Sequence, residues 1–189
     1  GFKLEKKWNS YSTHLRSEVG PNQGNKIIEN DDLQLNKNLK PISKKSVDYV
    51  NSKIEFIRVI KGTNFDYFSK ESQKSFFESQ YQVTNLTDRM GMRLDGYKLN
   101  NIKSENIKSE GIIKGVIQVP PDGKPIIMLS DHGTIGGYPK IGVIISADYD
   151  KIVQLPPLAK IKFQMIDISQ AEKIFKLYSM ETKNILDQI

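Results

Sequence analysis

Arginine is scarce in this 189-residue chain: of its 28 basic residues only Arg16, Arg58, Arg89 and Arg93 are arginines. Arg89 and Arg93 stand four apart in Asp88-Arg-Met-Gly-Met-Arg-Leu-Asp95. Strand alternation places both, with Gly91, on one face and Met90, Met92 and Leu94 on the other. Two guanidinium groups on one face suit bidentate capture of a carboxylate or phosphate, which lysine does poorly. Salt bridges to Asp88, Asp95 or Glu110 suit the same residues equally well. A second concentration is Asp131-His-Gly-Thr-Ile-Gly-Gly-Tyr-Pro139, between two apolar runs. Its adjacent glycines allow positive φ, so successive N–H groups of Gly136 and Gly137 are expected to converge on an anion, with Asp131 and Thr134 beside them. A long hairpin that needs glycine for geometry alone is the alternative.

Glu110, in Ser109-Glu110-Gly111, and Gln118 flank the preceding apolar run. Glu110 reads as a general base or as a turn residue. His14 and His132 suit proton transfer, the ordinary work of an imidazole, but nothing in the spacing brings them together.

Several chemistries are excluded at once. The chain has no Cys and only two His, which removes disulfides, thiolate nucleophiles and His- or Cys-built metal sites, so no metal is expected. The glycine-rich segment does not satisfy G-x-x-x-x-G-K-[ST], and no G-x-G-x-x-G follows a strand. A G-x-S-x-G elbow and a Met-Lys-Met biotin-attachment site are also missing. The net charge of +6 comes from lysines scattered among Asp, Glu and Asn, so a nucleic-acid partner is not expected. No apolar run approaches the roughly 20 residues that span a bilayer, and Gly1-Phe-Lys-Leu-Glu-Lys-Lys7 lacks the apolar stretch of a signal peptide. A reducing cytoplasm is the expected location.

The elements that must hold these residues follow from patterning. Residues 21–53 are rich in Asn, Lys, Asp, Gly and Pro and read as loop or linker. An N-terminal segment over 1–53 and a folded domain over 54–189 are therefore expected. A strand begins at Ile54, and Ser69 caps a short amphipathic helix to about Ser79, with Phe68 at its entry. Residues 112–119, 125–130 and 141–147 are three β-branched runs separated by turn residues, the pattern of an antiparallel meander. A further strand covers 158–166. Ser169-x-x-Glu172 forms a capping box, and Ala171, Ile174, Phe175, Tyr178, Ile185 and Leu186 define one face of a closing amphipathic helix.

The run SEGIIKGVIQVPPDGKPIIMLSDHGTIGGYPKIGVII, with TDRMGMRLDG upstream and NSYSTHLR near the start, closely resembles the KipA-like family. That family comprises the 5-oxoprolinase C subunit, also called allophanate hydrolase subunit 2, and the carboxyltransferase region of urea carboxylase. The resemblance covers residues 1 to about 175 and corresponds to the C-terminal portion of a family member, so an upstream portion is expected. It implies a mainly β fold with few helices, a cyclophilin-like barrel with the C-terminal helix beside it.

The resemblance also implies ATP-dependent opening of 5-oxoproline to glutamate in a complex with a B-like (KipI-like) and an A-like subunit. Its alternatives are biotin-dependent carboxyl transfer to urea or a related amide, and a regulatory module that binds a kinase-inhibitor-like B subunit. The partners are then a small amide or lactam and protein subunits, with neither nucleic acid nor membrane. Asp131, Arg89 and Arg93 are the catalytic candidates, and Gln118, Thr134, Gly136, Gly137 and Tyr138 the substrate-binding ones. Family members commonly read Asp-Arg-Gln-Thr-Thr-Gly-Gly-Tyr-Pro here, whereas this chain has His132, Gly133 and Ile135 where they carry Arg, Gln and the second Thr.

Overall fold

The computed structural model describes residues 1–36, 55–103 and 106–187. The chain divides between Ser46 and Val47 into two compact units. The boundary expected at 53/54 and the second half of the expected linker lie outside the described residues.

In the first unit, a bridge between Phe2 and Leu35 brings the ends of the described segment together. Short 3-10 turns occupy Leu15–Ser17 and Asn22–Gly24. Only Pro21 and Gly24 are buried among its described residues, and Trp8 is 81% exposed.

The second unit runs β1 (Ile57–Lys61), α1 (Lys70–Glu78), β2 (Tyr81–Val83), β3 (Gly91–Asp95), β4 (Glu110–Gly111), β5 (Val116–Gln118), β6 (Ile126–Met128), β7 (Ile135–Gly136), β8 (Lys140–Ile144), α2 (Ser146–Val153), β9 (Lys160–Ile161), β10 (Phe163–Met165) and α3 (Ile168–Leu186). Eight strands form one sheet in the order β10-β1-β8-β5-β6-β3-β2-β9. Its two outer strands are neighbours in sequence, separated by Lys162 alone. One short segment thus pairs on one side with β2 and on the other with β1, which nearly closes the sheet into a barrel and leaves little unpaired edge. The mainly β barrel with a C-terminal helix is the fold the sequence implies.

Alternation explains the interior. Val59, Met92, Leu94, Ile117, Ile127 and Ile141 turn inward, and Phe76 of α1 stacks on Phe163 of β10 at 4.6 Å between centroids. Each such side chain contributes roughly 1.5–3 kcal/mol through burial. Helix α1 starts as expected, with the Ser69 hydroxyl accepting from the Ser72 N–H.

Three expectations are corrected. The runs at β5, β6 and β8 are no meander: β6 and β8 flank β5 on opposite sides, both antiparallel to it. They are therefore parallel to each other, and residues 129–139 form the crossover between them, which is why this connection is long. Next, residues 145–147 leave the strand, and Ser146 opens the unexpected helix α2. Asp148, 1% exposed, receives the Arg58 backbone N–H and two guanidinium bonds, tying α2 to β1. Finally, α3 begins two residues early, because Asp167 and Gln170 form the capping box in place of Ser169 and Glu172. Its half-buried stripe is Ala171, Ile174, Tyr178, Thr182 and Ile185, while Phe175 and Leu186 of the expected face are exposed. The Tyr178 hydroxyl donates to Asp150 of α2 at 2.6 Å, so α3 packs against a helix the sequence reading lacked.

Candidate functional site

The crossover from β6 to β8 carries most of the candidate residues, and the structure sorts them into two groups. At its start, Asp131 continues the β3–β6 pairing, its N–H donating to the Arg89 carbonyl at 3.0 Å. This brings the side chains together: Arg89 Nε donates to Asp131 Oδ2 at 2.6 Å and Nη2 to Oδ1 at 3.1 Å. The hydrogen bond from the Arg89 guanidinium to Asp131, and then the carboxylate charge, raise the Arg89 pKa above its ordinary value. Asp131 is largely covered at 16% exposure, while Arg89 is 64% exposed. The pair thus holds the carboxylate fixed in position, with the guanidinium as its exposed member.

The other acids considered for Arg89 have their own tasks. Asp88 accepts the N–H groups of Met90 and Gly91 and shapes the turn into β3, while Asp95 pairs with Lys124. Arg93 does not join Arg89. It lies within β3 opposite Ile126, exposed and with no side-chain partner among the described residues. The strand begins only at Gly91, so alternation does not extend back to Arg89.

At the end of the crossover, β7 pairs with β4 in a two-stranded flap, Glu110 opposite Gly136. The flap lies on Gln118, which is 4% exposed and donates from Nε2 to the Tyr138 carbonyl at 3.3 Å. Gly136 lets the flap approach this closely: a Cβ there would stand 2.8 Å from Gln118 Nε2 and 2.4 Å from the Ile112 Cδ1, so both side chains would have to shift. Gly133, Gly136 and Gly137 all lack positive φ. The left-handed glycine conformation on which the expected convergence of N–H groups rested is therefore absent. The loop's carbonyls take part in pairing, that of Thr134 accepting from Ile112 and that of Gly137 from Ile107. Thr134 is exposed and Tyr138 is 37% exposed.

Sequence reasoning missed Lys140. Its side chain is 5% exposed, and its ammonium donates to Glu110 Oε2 at 2.6 Å. A β-bulge lies here: Ile117 faces Gly142 but Gln118 faces Lys140, so Ile141 is the extra residue, and Lys140 and Ile141 are both buried. Asn64, also buried, accepts the Lys140 N–H through its Oδ1. The one signal in the sequence is Lys140 directly ahead of a strand that is otherwise apolar. Glu110 is thereby the partner of Lys140, neither a lone base nor a mere turn residue.

His132 directs Nδ1 to the Gly133 carbonyl and lines a cleft with Lys114, Ser146 and Tyr149. His14 sits in the first unit, paired through its backbone with Val19. Among the described residues no cluster of His, Asp and Glu could hold a metal ion, and no helix is long and apolar enough to cross a membrane.

Comparison with known proteins agrees with this architecture. The 5-oxoprolinase C subunit of Haemophilus influenzae is 30% identical over 191 residues, spanning 100% of this chain and 62% of that protein. The Escherichia coli 5-oxoprolinase C subunit is 31% identical over 168 residues, spanning 87% of this chain and 53% of that one. This chain therefore spans little more than half the length of these relatives. The crystal structure of K. lactis urea amidolyase shares the fold, with a TM-score of 0.79 at 23% identity over 98% of this chain and 13% of that one. Residues 1–165 match the family described as carboxyltransferase domain, subdomain A and B, and the chain belongs to that family.

Proposed function

We propose that this chain is part of a 5-oxoprolinase C subunit and takes part, with A-like and B-like (KipI-like) subunits, in the ATP-dependent opening of 5-oxoproline to glutamate in the cytoplasm. The observation that carries this reading is the match of the chain to two proteins named as the C subunit of 5-oxoprolinase. Ring opening adds water across the lactam C–N bond, and the carbonyl carbon must be made electrophilic while its oxygen gains charge. Asp131, engaged by both arms of Arg89, serves as a fixed acceptor that orients the attacking water or the lactam N–H. Gln118 supplies an amide in the second polar group, next to Lys140 across the strand pair. We assign ATP to the assembly as a whole.

The experiment is ADP release driven by 5-oxoproline, with the full-length protein mixed with its A-like and B-like partners. Turnover that disappears with Arg89→Ala supports the reading. A stable complex without turnover overturns it. The family description favours a second reading, carboxyl transfer from a carrier-borne biotin to urea or a related amide. Carboxylation of urea in the presence of a biotinylated carrier would select it.

A further inference from the structure

Lys140 is a buried charge to which the proposed reaction assigns no task. A buried ammonium is stable only while paired, and Glu110 supplies that pair from the flap. The two ends of the pair differ sharply: Lys140 is 5% exposed, but Glu110 is 45% exposed. Glu110 can therefore return to water at small cost, whereas Lys140 cannot follow it.

The flap holding Glu110 is slight, with two residues in each strand. At Gly111, beside Glu110, a Cβ would meet nothing within 4 Å, so the flap has open space at this end. Behind it lie Gln118, the cross-strand neighbour of Lys140, and Asn64, which holds the lysine backbone. The β-bulge between Ile117 and Gln118 sets the lysine opposite Gln118, so that these two buried polar side chains are cross-strand neighbours under the flap.

We propose that Lys140 is a carboxylate-recognition group, that Glu110 occupies it in the resting state, and that a small monocarboxylate ligand displaces Glu110 as the β4–β7 flap lifts. One carboxylate replaces another, so the buried ammonium stays paired throughout and the exchange avoids stranding a charge. This deepens the reading above, because 5-oxoproline carries one carboxylate, but it holds for any monocarboxylate and is tested separately.

The test measures binding of L-5-oxoproline, 2-pyrrolidinone and acetate to the full-length protein, as wild type, Glu110→Gln and Lys140→Met, each variant first shown folded by circular dichroism. Removing the internal competitor should tighten 5-oxoproline and acetate by about tenfold or more in Glu110→Gln. Lys140→Met should bind neither, and 2-pyrrolidinone, which lacks the carboxylate, should not respond to either change. Carboxylate binding that survives in Lys140→Met, or is no tighter in Glu110→Gln, overturns the proposal. A wild-type measurement covers variants that fail to fold. Saturating acetate should accelerate hydrogen exchange at the Ile112 amide, which bonds across the flap to Thr134, and unchanged exchange overturns the displacement. The acetate arm retains its meaning if 5-oxoproline proves not to be the substrate.

Discussion

Arg89 and Asp131 hold each other at two levels, the side chains through a two-point ion pair and the backbones through a hydrogen bond from the Asp131 N–H to the Arg89 carbonyl. Strand pairing fixes the carboxylate in position, and the guanidinium then fixes its plane. Arg89→Lys keeps the charge but loses the two-point geometry. In the reconstituted assembly, Arg89→Lys and Asp131→Asn should each lower kcat by about a hundredfold, the scale of a misplaced polar group. Their unfolding midpoints should barely change, since Arg89 is 64% exposed. A kcat within threefold of wild type for both variants would remove the pair from the chemistry.

At Gly136 the obstruction to a side chain consists of two movable ends, the Ile112 Cδ1 and the Gln118 amide. Gly136→Ala should therefore fold, with a loss of about 1–3 kcal/mol from crowding. The amide of Gln118 must shift to admit the methyl group, so turnover should fall more than stability does. Comparing Gly136→Ala with Gln118→Ala tests this: the two should lose activity to a similar degree, and a fully active Gly136→Ala would show that the placement of Gln118 is unimportant.

The contrast between Ser69 and Lys140 shows where the sequence was legible. Ser69 caps α1 through a bond three residues away, a local event written in the spacing. The apolar runs at β1, β3, β5, β6 and β8 were readable for the same reason, each being a short stretch with its own pattern. Lys140 is buried because two strands slip by one residue against each other, and no single strand records its partner's register. The expected meander failed likewise, since residues 129–139 read as a hairpin loop until the position of β5 is known. The nest at Gly136 and Gly137 failed because glycine serves close approach as readily as positive φ, and here Gln118 lies where a side chain would be. The resemblance carried the fold, but it could not distinguish Arg89, which has a partner in the crossover, from Arg93, which has none among the described residues.

Tyr81 is fully buried, and its hydroxyl has no hydrogen-bond partner among the described residues. Burial, with a smaller contribution from Tyr97, raises its pKa well above the ordinary phenol value. Its ring lies 5.9 Å from Phe76 and 5.7 Å from Phe163, so the aromatic packing does not depend on the oxygen. Tyr81→Phe should stabilise the fold by about 1 kcal/mol by removing an unmet donor while preserving shape. A raised urea midpoint with unchanged slope is the expected observation. A lowered midpoint would reveal a partner for the hydroxyl.

Asp148 should govern the acid limit of the barrel. Burial alone would raise its pKa, but the side-chain and backbone hydrogen bonds from Arg58, and then the charges of Arg58 and Lys151, outweigh it and hold the carboxyl below its ordinary value. A depressed pKa in the folded state adds stability that is complete above the unfolded carboxylate value, about 3.9, and is lost as pH falls through the lower folded one. Asp148→Asn abolishes this contribution and leaves the Arg58 guanidinium facing a neutral amide, at a cost of about 3 kcal/mol at neutral pH. Urea unfolding of both proteins between about pH 7 and pH 2 checks the sign. The stability gap should be constant above about pH 5 and narrow as the wild-type carboxylate is protonated. A gap that stays constant to pH 2 would mean that Asp148 has the same pKa folded and unfolded, so that its ion pair with Arg58 adds nothing to the attachment of α2 to β1.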